Sequence, residues 1–180
     1  MEDEADEVLM ARIAEGEEAA YRVLMRRHLH RSMTIARRMS LSGADAEDVV
    51  QEAWLRVWKN APRWRPTAAF TTWLYRVLVN LCLDRHRRPA FAGLDGVADV
   101  VDERADQSAT VEADERARLV GAALAELPER QRAALVLSYY EGLTNAETAA
   151  VLDSTVAGVE ALLVRAKRRL RQKLMPVMGN

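Results

Sequence analysis

The stretch FTTWLYRVLVNLCLDRHRR, residues 70–88, predicts an amphipathic α-helix that ends in a cluster of cations. Its apolar side chains recur at the spacing of one helix face that packs on a core: Phe70, Trp73, Leu74, Val77, Leu78 and Leu81. A second face and the C-terminal end carry polar and cationic residues: Thr72, Arg76, Asn80, Arg85, Arg87 and Arg88. A single arginine near a helix C-terminus ordinarily complements the helix macrodipole. So many cations beside Asn80 and aromatic residues instead predict contact with a nucleic acid.

The preceding segment, residues 45–69, predicts a second two-faced helix followed by a loop. One stripe is apolar and is expected to face inward: Val50, Trp54, Val57 and Ala61. Another stripe is polar with one exposed leucine: Asp48, Gln51, Glu52, Leu55 and Lys59. Pro62 and Pro66 end the helix, and Trp64 lies between two arginines in the loop. Trp64 either packs on its domain or captures an unstacked base, because every base offers a π-face.

The C-terminal block opens with signals for two consecutive helices. Pro128 suits the first turn of a helix that ends near Gly142. Thr144 and Glu147 then have the spacing of a capping box, which begins a short helix through Leu152.

The last helix follows a tight turn made by Asp153, Ser154 and Thr155. Its inward stripe is Val159, Leu163, Ala166 and Leu170, and its cations are Arg165, Lys167, Arg168, Arg169, Arg171 and Lys173. Two helices joined by a tight turn predict a helix-turn-helix whose second helix docks in a DNA major groove. Helix pairs that never touch DNA share this spacing, so the pattern alone leaves that alternative open.

Formal charge alternates along the chain, although the whole chain carries only −1. The segments 1–20, 21–88, 89–115 and 116–180 carry −7, +9, −7 and +4. Two basic blocks predict two places of polyanion contact, and the acidic segment between them has the weak periodicity of a flexible linker. Strand signals are nearly absent. We therefore predict an all-α protein of two small helical domains, 1–88 and 116–180, joined by a linker at 89–115.

Composition restricts the class of protein. Hydrophobic residues make up 49% and charged residues 29%, which is typical of a folded chain. The apolar runs are far shorter than the roughly 20 residues of a membrane-spanning helix, and the N-terminus is acidic where a secretory signal is basic. We expect a cytoplasmic protein without membrane insertion. Cys82, which lies in an apolar run, is expected to be a buried thiol without chemistry.

An enzyme is a poor explanation of this sequence. It has no phosphate-cradling glycine loop and no Cys/His cluster at metal-ligand spacing. His28, His30 and His86 have no evident nucleophile beside them, and we expect His28 and His30 on the surface of a basic helix. The sequence therefore predicts no catalytic residue, no metal, no cofactor and no small-molecule substrate.

The order of these motifs resembles bacterial RNA polymerase sigma factors of the extracytoplasmic-function (ECF) class. The segments that carry the resemblance are DAEDVVQEAWLRVW, FTTWLYRVLVNLCLDRHRR and LPERQRAALVLSYYEGLTNAETAAVL, followed by the basic last helix. The resemblance covers about residues 8–173. It implies two helical domains that bind core RNA polymerase and direct it to promoters. It also implies an anti-sigma factor that covers the polymerase-facing and DNA-facing surfaces.

Matched position by position, the resemblance implies three sets of site residues. The polymerase-binding helix, residues 46–59, would use Asp48, Gln51, Glu52 and Leu55. The region that melts and reads the minus-ten element would use Trp64, Trp73, Tyr75, Arg76, Asn80, Arg85 and Arg88, with a flipped base held in the loop 61–69. The minus-35 helix would use Thr155, Glu160, Arg165, Lys167 and Arg168. The linker 89–115 would run toward the polymerase active centre, where its negative charge would mimic RNA.

The recognition helix departs from the family pattern. Glu160, Ala161 and Leu162 occupy positions where family members often carry a basic or polar triplet. Glu160 either accepts a hydrogen bond from cytosine N4 or is an exposed helix carboxylate that repels phosphate. Asp153 stands where glycine is common, and aspartate tolerates the left-handed backbone better than most residues.

Two other functions remain open at this point. A stand-alone helix-turn-helix regulator explains residues 128–173 and would bind duplex DNA unaided, but it leaves the two-faced helices of the first domain without a role. A sigma mimic that sequesters an anti-sigma factor is favoured by the departure at Glu160 to Leu162 and disfavoured by the intact basic helix at 70–88.

Overall fold

The computed structural model describes residues 4–39, 41–87 and 111–178, and for residues 111–117 and 176–178 it describes the backbone alone. Across these ranges the chain forms α-helices and contains no strand, which confirms the predicted all-α fold. The helices are α1 (Asp6–Ala14), α2 (Glu18–Arg38), α3 (Gly43–Asn60), α4 (Phe70–Arg87), α5 (Val111–Ala125), α6 (Glu129–Leu135), α7 (Asn145–Leu152) and α8 (Val156–Met178). A 3-10 turn, Ala61–Arg63, follows α3, and a π-helical segment, Val136–Tyr140, follows α6.

We refer to α1–α4 as the first module and to α5–α8 as the second module. Residues 89–110 of the predicted linker lie outside the described residues. α5 begins at Val111, so the end of the segment that the sequence pattern assigns to the linker is helical. Within the described part of the chain, no helix is both long enough and apolar enough to cross a lipid bilayer.

α3 begins and ends where local sequence rules place its termini. The Ser42 hydroxyl accepts a hydrogen bond from the backbone N–H of Asp45 over 3.1 Å, which caps the N-terminus. The helix ends at Asn60, and Pro62 in the next turn has no N–H with which to extend it. The predicted inward stripe is confirmed: Val50, Trp54, Val57 and Ala61 are all buried. Burial of each of the larger side chains stabilises the fold by roughly 1.5–3 kcal/mol.

α4 is buried on two sides, whereas its sequence pattern predicts one inward face. The predicted residues are in the core or packed against it: Phe70, Leu74 and Leu78 are buried, and Trp73, Val77 and Leu81 are half-buried. Further buried side chains are Tyr75, Val79, Cys82 and Leu83. Burial extends round the helix because α4 contacts α2 and α3 in its own module and α7 in the second module. Glu7 of α1 holds the N-terminus of α4, since its Oε1 accepts a hydrogen bond from the Phe70 N–H over 3.3 Å.

His28 is buried in the first module, so the expectation of a surface histidine is wrong at this position. The residue is 8% exposed, and its Nε2 lies 2.7 Å from Oδ2 of Asp6 in α1. Asp6 also pairs with Arg27 over 2.8 Å. The spacing of α2 alone cannot show that α1 lies against it and provides this carboxylate. His30 is exposed, as expected.

The second module ends in the predicted helix-turn-helix, formed by α7 and α8. Gly142, with φ of 71°, follows the π-helical segment. The capping box is present: the Thr144 hydroxyl accepts a hydrogen bond from the Glu147 N–H over 3.2 Å, and the Glu147 carboxylate accepts one from the Thr144 N–H over 2.8 Å. Asp153 ends α7 in the left-handed conformation with φ of 48°, which confirms the tolerance expected of aspartate.

The two modules contact each other through α4 and α7 and through polar groups around them. We call these contacts the module interface: Arg132 to the Met39 carbonyl (2.7 Å), Arg38 to the Tyr140 ring centroid (3.7 Å), Arg31 to Glu141 (3.6 Å), Tyr75 to Glu141 (3.3 Å) and Arg76 to the Ala150 carbonyl (3.1 Å). Each contact joins a residue of α2 or α4, or Met39 beside α2, to a residue of the second module. The interface therefore closes the second module over one side of α4.

Candidate nucleic-acid interface

The polar stripe predicted on α3 is displayed at the surface. Asp48 and Gln51 are exposed, and Leu55 is 42% exposed among polar neighbours. Glu52 is half-buried and accepts a hydrogen bond from Arg56 over 2.9 Å. Because the opposite stripe of α3 is fixed in the core, this surface is held rigidly and is available to a partner.

Asp48 and Arg85, which the family resemblance assigns to two different partners, lie together in the structure. Nη2 of Arg85 donates a hydrogen bond to Oδ2 of Asp48 over 3.1 Å, and its Nε donates one to Oδ1 of Asp45 over 2.6 Å. Hydrogen bonds from Ser42 and then from Arg85 lower the pKa of Asp45. The predicted polymerase surface and the predicted DNA surface are therefore adjacent and share an ion pair.

Trp64 and Trp73 lie on either side of the start of α4 and pack against Phe70. The Trp64 and Phe70 ring centroids are 6.4 Å apart in an edge-on arrangement, and the Trp73 and Phe70 centroids are 6.1 Å apart. Both tryptophans are half-buried, whereas Arg63 and Arg65 beside Trp64 are exposed. The loop therefore combines partly accessible aromatic rings with cations, which is the chemistry that holds an unstacked base.

Tyr75 is buried in this structure, so it cannot contact an opened strand in the arrangement observed. The residue is 3% exposed, and its hydroxyl donates a hydrogen bond to Oε2 of Glu141 over 3.3 Å. Burial raises the pKa of Tyr75 to about 12. The sequence pattern of α4 did not show this burial because Glu141 belongs to the other module.

Arg76 and Asn80 are both exposed, as the two-faced pattern of α4 predicts. The Arg76 guanidinium is nevertheless occupied, because its Nε donates a hydrogen bond to the Ala150 carbonyl of α7 over 3.1 Å. Arg88, the last residue of the predicted set, lies outside the described residues. The cationic face of α4 is therefore in place, with one of its arginines bound to the second module.

α8 presents the predicted minus-35 residues at its surface. The Thr155 hydroxyl accepts a hydrogen bond from the Gly158 N–H over 3.0 Å and so caps the helix. Thr155, Glu160, Arg165, Lys167 and Arg168 are all exposed. The Lys167 ammonium lies 4.9 Å from the centroid of the Tyr139 ring. The predicted inward residues Val159, Leu163 and Ala166 are buried, and Leu170 is half-buried.

Sequence reasoning missed three polar residues that organise these surfaces. Arg132 is 4% exposed and donates hydrogen bonds to the carbonyls of Leu124 and Leu127 in addition to that of Met39. Burial lowers the pKa of Arg132. The Glu141 side chain is only 3% exposed, between Arg31 and Tyr75. Nδ2 of Asn145 lies 3.5 Å from Oε1 of Glu160. The one available signal was the position of Arg132 four residues before the apolar Val136, on the inward side of its helix.

The described residues contain no group of three or more His, Cys, Asp and Glu side chains that is suited to a metal ion. Cys82 is fully buried, and burial raises the pKa of its thiol to about 12, so the thiol is protonated at neutral pH.

Comparison with known families matches both modules separately. The model for Sigma-70 region 2 matches residues 24–90, and the model for Sigma-70 region 4 matches residues 117–170. The first match contains α3 and α4, and the second contains α7 and residues 156–170 of α8.

Individual proteins match across nearly the whole chain. The ECF RNA polymerase sigma factor SigM of Mycobacterium tuberculosis (strain ATCC 25618 / H37Rv) is 36% identical over 172 residues, covering 96% of this chain and 86% of SigM. The structure of CnrH in complex with the cytosolic domain of CnrY aligns with a TM-score of 0.73 at 28% identity, covering 95% of this chain and 97% of CnrH.

A third alignment concerns the fold alone. The sigma factor RpoE in complex with the anti-sigma factor NepR from Bartonella quintana aligns with a TM-score of 0.67 at 20% identity, covering 83% of this chain and 93% of RpoE. The two matched regions, their order and the identity to SigM lead to one conclusion. The chain belongs to the ECF family of RNA polymerase sigma factors.

Proposed function

We propose that α3 binds core RNA polymerase through Asp48, Gln51, Glu52 and Leu55. The proposal is supported by the rigid display of this stripe opposite a fully buried one. Leu55 would lose its exposed apolar surface to the partner, which favours binding. The polar side chains around it would fix the orientation of the helix on the polymerase.

The opened minus-ten strand would be held by α4 and the loop before it. Trp64 and Trp73 would stack on unpaired bases, and the cations and Asn80 would contact the backbone and base edges. The residues in this role are Trp64, Trp73, Tyr75, Arg76, Asn80, Arg85 and Arg88. Stacking and cationic contacts offset part of the few kcal/mol that extruding a base costs.

The minus-35 element would be bound in its major groove by α8, with Thr155, Glu160, Arg165, Lys167 and Arg168 at the interface. The exposure of all five side chains on a capped helix supports this assignment. The chain would accordingly divide into a region 2 domain at 1–88, a linker at 89–115 and a region 4 domain at 116–180.

Promoter opening requires the two modules to separate. Tyr75 is buried beneath the second module and cannot contact DNA while the module interface is closed, and the Arg76 guanidinium is held by the Ala150 carbonyl. We infer that polymerase binding, which must place the two DNA-binding surfaces on separate promoter elements, opens the interface. An anti-sigma factor would oppose polymerase binding by covering the exposed stripe of α3 and the face of α4.

The observation that carries the proposal is the division of each of three helices into a buried stripe and an exposed stripe of distinct chemistry: α3 acidic and apolar, α4 cationic and aromatic, α8 cationic. Such a protein acts by binding in the cytoplasm, without chemistry of its own.

Run-off transcription with purified core polymerase tests the proposal. Transcripts from a matched promoter should appear only when the full chain is added. Equal transcription without the chain would reject the function. Tight binding to duplex DNA in the absence of core polymerase would instead favour a stand-alone regulator.

A further inference from the structure

The outermost line of α8 is apolar where the helix would meet base pairs. Ala157, Ala161, Val164 and Arg168 follow one another at spacings of four, three and four, so they share one helix face. This face lies opposite the buried line of Val159, Leu163 and Ala166. All four outer residues are exposed, and Val164 is 66% exposed. We call Ala157, Ala161 and Val164 the apolar stripe.

Cations follow the apolar stripe along α8 and indicate its occupant. Toward the C-terminus α8 carries Arg165, Lys167, Arg168, Arg169, Arg171 and Lys173, and the side chains of all six are exposed. Charges of this kind bind DNA phosphates and position a recognition helix without reading sequence. An apolar stripe beside them fits a DNA major groove better than it fits a protein surface, because a cationic rim complements the phosphate backbone.

Within the major groove, small apolar side chains have one specific partner. The C5-methyl of thymine is the apolar group that a base pair presents there, and alanine-like and methyl-bearing side chains contact it. The short side chains of Ala157 and Ala161 also permit the helix to approach the base edges closely.

Glu160 lies beside the apolar stripe, and its carboxylate is close to the start of the helix before it. Nδ2 of Asn145, the first residue of α7, lies 3.5 Å from Oε1 of Glu160. A carboxylate enclosed in a groove without a donor is costly, because phosphates repel it and water is displaced. The amino group of cytosine N4 is the donor that a glutamate accepts in the major groove.

We propose that α8 reads its minus-35 element by contacting thymine methyl groups with Ala157, Ala161 and Val164 and a cytosine amino group with Glu160. The inference rests on the proposed function, since it names the bases that the proposed minus-35 helix selects.

The test uses the full chain with core polymerase on templates whose upstream element is randomised. Sequencing of the transcribed templates, with and without the chain, identifies the selected element. We expect a selected cytosine whose preference moves to adenine in Glu160→Gln, because glutamine pairs with adenine N6 and N7. Glu18→Gln removes the same charge from an exposed position on α2 and should leave the preference unchanged.

Thymine contacts are tested by replacing single thymines of the selected element with deoxyuridine, which lacks the methyl group. At a contacted position the run-off yield at limiting protein should fall about fourfold, the effect of one buried methyl group. The penalty should disappear in Val164→Ser if Val164 makes that contact. It should persist in Val8→Ser, which changes an exposed valine of α1.

The outcomes distinguish an error in the assigned bases from an error in the sigma function. Chain-dependent transcription with an unchanged preference in Glu160→Gln, or with every thymine tolerant of deoxyuridine, would overturn the base assignment while the sigma function stands. The absence of any chain-dependent transcript would overturn the sigma function and, with it, this inference.

Discussion

The guanidinium of Arg132 in the second module donates a hydrogen bond over 2.7 Å to the carbonyl oxygen of Met39 in the first module. The same carbonyl lies 2.7 Å from Nε2 of His86 at the end of α4. One buried arginine therefore ties the helix-turn-helix module to the end of α2, beside the helix that would contact melted DNA. This relationship makes both the stability of the second module and its closure over α4 depend on Arg132.

Replacing Arg132 with alanine should lower the free energy of unfolding by roughly 2–4 kcal/mol, because several buried carbonyls lose a charged donor. Urea unfolding followed by circular dichroism measures the change. Arg171→Ala, an exposed cation of α8, serves as the matched control and should stay within about 0.5 kcal/mol of the unmodified protein. Equal effects of the two substitutions would show that the Arg132 contacts contribute nothing to stability.

Removing the Tyr140 ring should open the module interface without unfolding either module. The ring lies under the Arg38 guanidinium, and a contact of this kind contributes about 1–2 kcal/mol, so Tyr140→Ala should shift the equilibrium toward separated modules about tenfold. Small-angle X-ray scattering should then give a larger radius of gyration. The neighbouring Tyr139 contacts Lys167 within its own module, so Tyr139→Ala should leave the radius unchanged. An unchanged radius in both variants would contradict the proposed role of Tyr140.

The exposed stripe of α3 and the cationic face of α4 should have different functions. Asp48→Ala with Gln51→Ala should weaken binding to core polymerase about tenfold and spare the fold, because both side chains are exposed. Arg76→Ala with Asn80→Ala should spare core binding and slow promoter opening. Fluorescence anisotropy measures the first property, and permanganate reactivity of unpaired thymines measures the second. Identical defects in both pairs would refute the division of labour.

Cys82 should resist thiol reagents until the protein unfolds. Burial raises its pKa from 9.0 to about 12, so little thiolate exists at pH 8 in the folded state. Labelling at pH 8 should therefore follow the unfolding rate and accelerate strongly in urea.

The raised pKa of Cys82 makes the stability of the folded protein depend on pH. The folded state holds the Cys82 proton more tightly than the unfolded state, so the stabilisation is complete below pH 9 and is lost as pH rises toward about 12. The free energy of unfolding of Cys82→Ala should therefore fall less between pH 9 and about 12 than that of the unmodified protein. A folded protein that is labelled at pH 8 as fast as a free thiol would contradict the burial of Cys82.

The sequence predicts well those features that depend on residues close together in the chain. The capping box at Thr144, the left-handed Asp153 and the inward stripe of α3 depend on residues a few positions apart, and all three are present in the structure. Helix periodicity likewise locates the exposed face that carries Arg76 and Asn80. Local spacing and capping chemistry are sufficient for features of this kind.

What the sequence did not predict depends on partners far along the chain. His28 is buried because Asp6 of α1 lies against it, and Tyr75 is buried because Glu141 reaches it from the second module. The spacing of α6 places Arg132 on its inward side but does not identify the carbonyls that surround it. Periodicity describes one helix at a time, so it cannot show which polar side chain a second module will enclose.

The π-helical segment Val136–Tyr140 makes the module interface sensitive to deletion of a residue. A π-helical turn holds more residues than an α-helical one, so it rotates everything that follows relative to α6. Tyr140 meets Arg38, and the adjacent Glu141 meets Tyr75, only in that rotated register. Deletion of a single residue between Val136 and Tyr139 would turn both side chains away from their partners while leaving every residue of the interface intact. Such a deletion would therefore change the closure of the interface more than a typical substitution does.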